Sequence, residues 1–305
     1  MPIREFFHLI HVVDDQREAS AWYDEVFKPQ RFIENSWSDV EKRWASLAMI
    51  GNFMIEVIEP SSAAEDEGMP LGRFRARFGQ HFHSLAWYVD APDVRRLFDA
   101  LRAHGVRIAK PGGGMFPDGD IEPGPTIFTH PKDTFGQLEF VALDDFWRER
   151  DPRFAANWSP SFWRDGHPLG IERVAYFTSL VTDVERARTL FEGPISGRLL
   201  HTETSAVAES AFVLVGSDTI VELARPTAEA SRLVTDLAEN GELPHGCTFK
   251  VVDLEAAERH MDDVGVRVAE RSGDGFTLEP ADCFGAVYGF TSRAVPATTW
   301  REHSA

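Results

Sequence analysis

A chain of 305 residues, 43% hydrophobic and 26% charged, has the composition of a soluble globular protein with room for two domains of ordinary size. Its formal net charge of −18 excludes the basic face that a phosphate backbone or an anionic membrane surface needs. The start "MPIREFFHLIHVV" lacks the apolar core of a secretory signal, no apolar stretch reaches membrane-spanning length, and Cys247 and Cys283 make neither a metal-type spacing nor a disulfide framework. A cytoplasmic protein without nucleic-acid or membrane partners is expected.

The elements follow in chain order. "HLIHVV" is a strand-like run, and "DDQREASAWYDEVF" continues as an amphipathic helix. Ala19, Trp22, Tyr23, Val26 and Phe27 form its apolar stripe, and Asp14 or Asp15 is its cap. "RWASLAMIG" and "NFMIEVIEP" are β-type runs joined at Gly51-Asn52, a hairpin signal. "SSAAEDEGMPLG" reads as an acidic loop. The strand "HSLAWYVD" and the helix "APDVRRLFDALRAHGVR" come next, with Gly105 where a C-cap belongs. "PGGGMFPDGD" has glycines but no following helix, so it reads as a loop at a cavity mouth and not as a phosphate cradle. "PTIFTHPKDTFGQLEFVAL" supplies two further strands around a turn.

The same order then recurs. "HSLAWYVDAPDVRRLFDALRAHGVRI" aligns with "HGCTFKVVDLEAAERHMDDVGVRV", "MIEVIEP" with "IVELARP", and "HPKDTFGQLEF" with "EPADCFGAVYGF". These matches pair His83 with His245, Glu56 with Glu222, and Phe135-Gly136 with Phe284-Gly285. An internal duplication explains them. The division is a module over 1–143, an aromatic-rich linker over 144–168 expected to pack across both modules, a second module over 169–292, and a tail over 293–305.

A duplicated module carrying H-x6-D at its first strand, "IEVIEP", "HSLAWYVD" and "HPKD…LEF" resembles the vicinal oxygen chelate superfamily of glyoxalase I, methylmalonyl-CoA epimerase, bleomycin-resistance proteins and extradiol dioxygenases. The resemblance implies an α+β fold of tandem βαβββ modules, with curved mixed sheets around a cavity. It also implies a divalent metal (Fe, Mn, Co, Ni, Zn or Mg) held by side chains of the first, fourth, fifth and eighth strands. Carried onto this sequence, those positions are His8, Glu56 and Glu139, with the fifth-strand position divided between His83 and Ser84. A regular strand places Ser84, Ala86 and Tyr88 on the cavity face; a β-bulge would turn His83 inward instead. In the second module the corresponding residues are Tyr176, Glu222, Gly246 or His245, and Tyr288, too few ligands to keep a metal.

His11, opposite in parity to His8, is expected to be structural, Glu59 a solvated strand end, and His81 a surface residue. The function implied is a metal-dependent lyase, isomerase or epimerase working through a stabilised enolate, with Glu139 or Glu56 as acid and base and Tyr88 offering a phenol. Ser84, Trp37, Trp44 and His130 are the expected pocket residues, and Trp22, Trp37, Trp44 and Tyr88 suggest an apolar or aromatic oxygenated small molecule. No basic cluster is visible that would hold a coenzyme A phosphate. The alternatives are an extradiol ring-cleaving dioxygenase and a metal-free small-molecule-binding protein; a homodimer is left open as the assembly.

Overall fold

The computed structural model describes residues 3–229 and 231–298; the end of the expected tail, 299–305, lies outside the described residues. The first module carries β1 (Ile3–Val12), β2 (Gln30–Ser38), β3 (Arg43–Ile50), β4 (Phe53–Pro60), β5 (His81–Asp90), β6 (Ile108–Ala109), β7 (Thr126–Thr129) and β8 (Gln137–Leu143). The second repeats them as β9 (Ile171–Leu180), β10 (Arg198–Thr204), β11 (Ala208–Val215), β12 (Thr219–Pro226), β13 (Pro244–Val251), β14 (Val268–Arg271), β15 (Gly275–Leu278) and β16 (Val287–Thr291). Each set forms one open mixed sheet. The orders are β2-β3-β4-β1-β5-β8-β7-β6 and β10-β11-β12-β9-β13-β16-β15-β14, the same path walked twice.

Local chemistry sets the boundaries. Asp15 caps the helix Gln16–Phe27 by accepting from the amides of Arg17 and Glu18, and Lys28 ends it in the left-handed region. The hairpin at Gly51-Asn52 joins β3 to β4 as the turn dipeptide predicts. The stretch read as an acidic loop is instead mostly helical. Ser61 caps a short helix at Ser62–Asp66, and Pro70 at the first position starts another at Pro70–Phe78. Helices of five and nine residues are too short to show a helical period in the sequence.

The modules share one apolar core. Phe6 stacks on Phe177 at 4.4 Å, and Phe53 meets Phe249 at 5.6 Å. The intervening segment is a strap on the first module: Trp163 is buried and its Nε1 donates to Phe27 O at 3.0 Å. The repeated Phe-Gly pairs are module contacts. Phe135 and Phe284 are both left-handed, and each following glycine lies against the other module. A Cβ on Gly285 would sit 1.9 Å from Gln80 O, and one on Gly136 2.5 Å from Pro244 Cδ. Gly285→Ala, with φ of +77° besides, is therefore expected to cost about 2 kcal/mol or more in urea unfolding. Gly265→Ala, at φ +75° but facing open space, is the control; equal losses would remove the module contact as the cause.

Candidate active site

Bulges on both central strands shape the floor of the first module's cavity. Along β1 against β5, Phe6 is opposite Trp87 and Leu9 opposite Leu85, so the extra residue falls on β1 at Phe7–His8. From Leu9 to His11 the partners run from Leu85 to Phe82, so the next extra residue falls on β5 at His83–Ser84. Phe7 and His8 consequently both line the cavity, and so does His83. Ser84 is fully buried, keeps Gln137 as its ladder partner, and is not a lining residue; its Oγ lies 3.2 Å from His83 Nδ1. Of the two fifth-strand readings, the bulged one is observed.

His8, Glu56 and Glu139 come together on that floor. His8 Nε2 is 3.1 Å from Glu139 Oε2 and 3.3 Å from Glu56 Oε2, and all three are buried. Burial acts against a charged His8, but the two carboxylates and the hydrogen bond to Glu139 outweigh it, and its pKa is raised. His8 Nδ1 is buried without a hydrogen-bond partner among the described residues, so the carboxylate side orients the ring. His83 meets Phe74 edge-on at 4.6 Å, and burial, with the Arg43 and His81 cations, pushes its pKa down to about 3, leaving a neutral imidazole.

Two neighbours escaped the sequence reading. Arg43 Nη1 is 3.0 Å from Glu56 Oε1, and its Nε is 2.8 Å from Glu41 Oε2. Both Arg43 and Glu41 line the cavity. Burial raises the Glu41 pKa, with Glu56 and Glu139 adding to it against Arg43. The available signal was parity: Arg43, Ala45 and Leu47 alternate onto the face where Leu47 lies opposite Glu56.

The cavity, about 970 Å³, is walled by Phe7, Ile10, Phe74, Phe78, Phe128 and Trp147. His130 is at its edge, where its Nδ1 caps the turn at Lys132 N, and the Gly112–Gly114 loop forms part of the mouth as expected. Tyr88 is a correction: it is wholly buried outside the cavity lining, stacked on Phe7 at 4.4 Å and covered by Trp147 and Phe154. Trp37 and Trp44 are corrections too. They pair with each other at 5.2 Å on the exposed edge formed by β2 and β3, away from the lining. Trp22 packs among Tyr23, Phe27 and Tyr288. His11 is structural, bonded to Tyr23 Oη at 2.8 Å and Phe284 O at 2.9 Å. Glu59, expected to be solvated, is only part-exposed and accepts from Gln16 N at 3.0 Å.

His81 is no surface residue. It is buried 3.7 Å from Asp236, which also bonds His245 and Asn240, beside the segment Asn240–Leu243 that closes the cavity from the second module. Burial opposes the Asp236 charge, but hydrogen bonds from His245, His81 and Asn240 hold its pKa well below the usual carboxylate range. Burial likewise opposes a charged His81, and its bonds to Asp236 and Phe82 O raise it on balance. The depressed Asp236 contributes stability above its unfolded value of 3.8 that is lost as pH falls through its folded value. The raised His81 contributes fully below 6.5 and loses its share as pH rises through its folded value. The stability gap between wild type and Asp236→Asn is therefore expected to peak between about pH 4 and 6.5 and to narrow above it. Urea midpoints across pH check this, and a gap constant from pH 5 to 9 would refute it.

In the second module only Tyr176 and Glu222 of the equivalent residues line a cavity, one of about 460 Å³. Glu222 Oε2 accepts from Thr178 at 2.6 Å and Oε1 from Ser210 at 2.8 Å, while Tyr288 points into the core against Tyr23 Oη at 2.6 Å.

The donor set of the first cavity bears on a divalent ion through its spacing and its charge. Neighbouring ligands of an octahedral ion with bonds of about 2.1 Å lie about 3 Å apart, and His8 already holds its two carboxylates at 3.1 and 3.3 Å. Were His8 to give up its proton and ligate, the carboxylates of Glu41, Glu56 and Glu139 would face one guanidinium, a surplus of negative charge that a divalent ion would offset. Among the described residues no group of three such side chains is spread around an open centre; these donors close on one another and on Arg43. The residue types are those a divalent ion takes, and the carboxylates would have to turn from these partners to surround one.

Tandem eight-stranded sheets with a histidine–carboxylate floor define a vicinal oxygen chelate architecture. Residues 5–136, the first module, match the Glyoxalase/Bleomycin resistance protein/Dioxygenase superfamily. A mutant of 4-hydroxymandelate synthase from Streptomyces coelicolor is similar across 97% of this chain and 97% of its own, with a TM-score of 0.64 and 15% identity, a likeness of fold. Methylmalonyl-CoA epimerase from Mycobacterium tuberculosis is similar over 40% of this chain and 87% of its own, at 21% identity and a TM-score of 0.37. A variant of the Streptomyces coelicolor epimerase is similar over 42% of this chain and 99% of its own, at 25% identity and a TM-score of 0.38. No curated protein matches the chain. Among the described residues no helix is long and apolar enough to cross a membrane.

Proposed function

We propose that the first cavity is the active site of a divalent-metal-dependent lyase, isomerase or epimerase acting on an oxygenated, largely apolar small molecule. The observation that carries this reading is the approach of His8 Nε2 to both Glu56 and Glu139 at the bottom of a large cavity. His8, Glu56 and Glu139 would hold the ion, with the neutral His83 as a further donor on the same cavity. A bound ion would supply Lewis acidity toward a substrate carbonyl or carboxylate, which lowers the cost of an adjacent carbanion.

The chain's own groups do the rest. Arg43 tethers Glu56, so Glu139 is the freer carboxylate and is assigned the proton transfer between carbons. Glu41, with its raised pKa, is a second proton carrier facing the same space. The apolar walls keep bulk water from a carbanion that water would quench. Elemental analysis, followed by titration of metal-stripped protein with Mg, Mn, Fe, Co, Ni and Zn, tests the reading. One equivalent per chain is expected, and no binding of any of these ions would overturn it.

A metal-free binding protein is the second reading, favoured by the Arg43–Glu56 contact at 3.0 Å, which leaves the carboxylate a cation of its own. The same titration separates the two. Ring cleavage of a catechol is disfavoured by the occupied oxygens of Glu222 in the second module, and oxygen uptake with a catechol tests it directly.

A further inference from the structure

The cavity mouth runs against the charge of the whole protein. In a chain of net charge −18, Arg73, Arg77, Lys110 and Lys132 all line this one cavity. They are exposed, and none forms a salt bridge with a carboxylate among the described residues, although most arginines of the chain do. Arg77 lies over the Phe78 ring at 4.9 Å and Lys110 over Phe116 at 5.2 Å, so neither is turned away to a carboxylate. Arg186 of the second module joins the same rim, paired with Glu242 at 2.9 Å. These cations come from the helix Pro70–Phe78, the glycine loop and the turn after His130. They are remote in sequence, so the expectation that no basic cluster exists is corrected by the fold.

The cavity is thus graded from an acidic floor through aromatic walls to a cationic rim. An uncharged ligand gives no use for that rim, whereas an anion would find there cations not already paired with carboxylates. We infer that the substrate carries an anionic group, phosphate or carboxylate, which docks on Arg73, Arg77, Lys110 and Lys132. Its apolar body then lies along Phe74, Phe78 and Phe128, with its reacting oxygens toward His8. This deepens the enzyme reading of the same site and rests on it for the direction of the reacting end.

The test uses two fluorescent probes of one shape. Anilinonaphthalene sulfonate carries a fixed negative charge, and phenylnaphthylamine is its neutral counterpart. The wild-type chain is expected to bind the sulfonate about tenfold or more tightly than the neutral probe, and salt should weaken only the sulfonate. Arg77→Ala/Lys132→Ala should erase that preference and leave the neutral probe unchanged, while Arg77→Lys/Lys132→Arg should keep it. Circular dichroism shows whether each variant is folded; if the alanine pair unfolds, the salt dependence of the wild type decides. Competition by inorganic phosphate but not citrate assigns a phosphate, and the reverse a carboxylate. Equal affinity for both probes in the wild type, insensitive to salt, would overturn the inference. Metal titrations of the same proteins keep the readings apart: absent metal binding with intact charge preference strikes the metal reading alone.

Discussion

His8→Ala is expected to weaken divalent-ion binding by at least about a hundredfold, because it removes a direct donor where even supporting partners are worth 10–100-fold. The remaining donors are Glu56, already engaged by Arg43, Glu139, which loses its hydrogen bond to His8, and His83 on the same cavity. A second readout follows from the metal-free protein. There His8 is the cation that offsets Glu139, and its loss leaves a buried carboxylate short of a partner, a penalty of about 3 kcal/mol. Glu139→Gln separates the two effects, since the amide keeps the shape and a neutral oxygen while removing the charge that needs compensation. Calorimetric titration and urea unfolding of the three proteins measure both quantities. Wild-type metal affinity in His8→Ala would remove these residues from any metal site.

What could be read from sequence was whatever repeats or alternates. The duplication showed one order of elements recurring, and the two sheets realise it as the same strand path walked twice. His8, Glu56 and Glu139 came from the family resemblance carried onto this sequence, and their meeting follows from the order β4-β1-β5-β8. The choice between His83 and Ser84 was beyond reach. It depends on one extra residue in β5 relative to β1, a consequence of tertiary pairing that leaves no local pattern. Tyr88 failed for a related reason. Parity alone puts it on the cavity side, but the strap brings Trp147 and Phe154 over it. The cationic rim was invisible because its members lie on separate elements, and only the folded chain makes them neighbours.

The strap also holds the largest expected stability effect. Arg153 is almost fully buried and reaches in several directions at once: Nη2 to Asp151 Oδ2 at 2.6 Å, and Nη1 to Phe6 O at 2.5 Å and Asn52 O at 3.3 Å. Burial opposes its charge, but Asp151, with Asp218 of the second module, raises its pKa and keeps the guanidinium ionised. One side chain therefore links the strap to the first module through backbone carbonyls and to the second through charge. Arg153→Met fills similar volume but leaves Asp151, whose side chain is 0% exposed, as an unpaired buried carboxylate. The expected cost is about 3–5 kcal/mol in urea unfolding. Arg153→Met/Asp151→Leu removes both charges and is expected to recover part of that loss. It should not recover all of it, because Phe6 O and Asn52 O still lose a donor and Asp218 still loses a cation. Full recovery in the double variant would mean that Arg153 serves only Asp151 and that the strap does not join the modules through it.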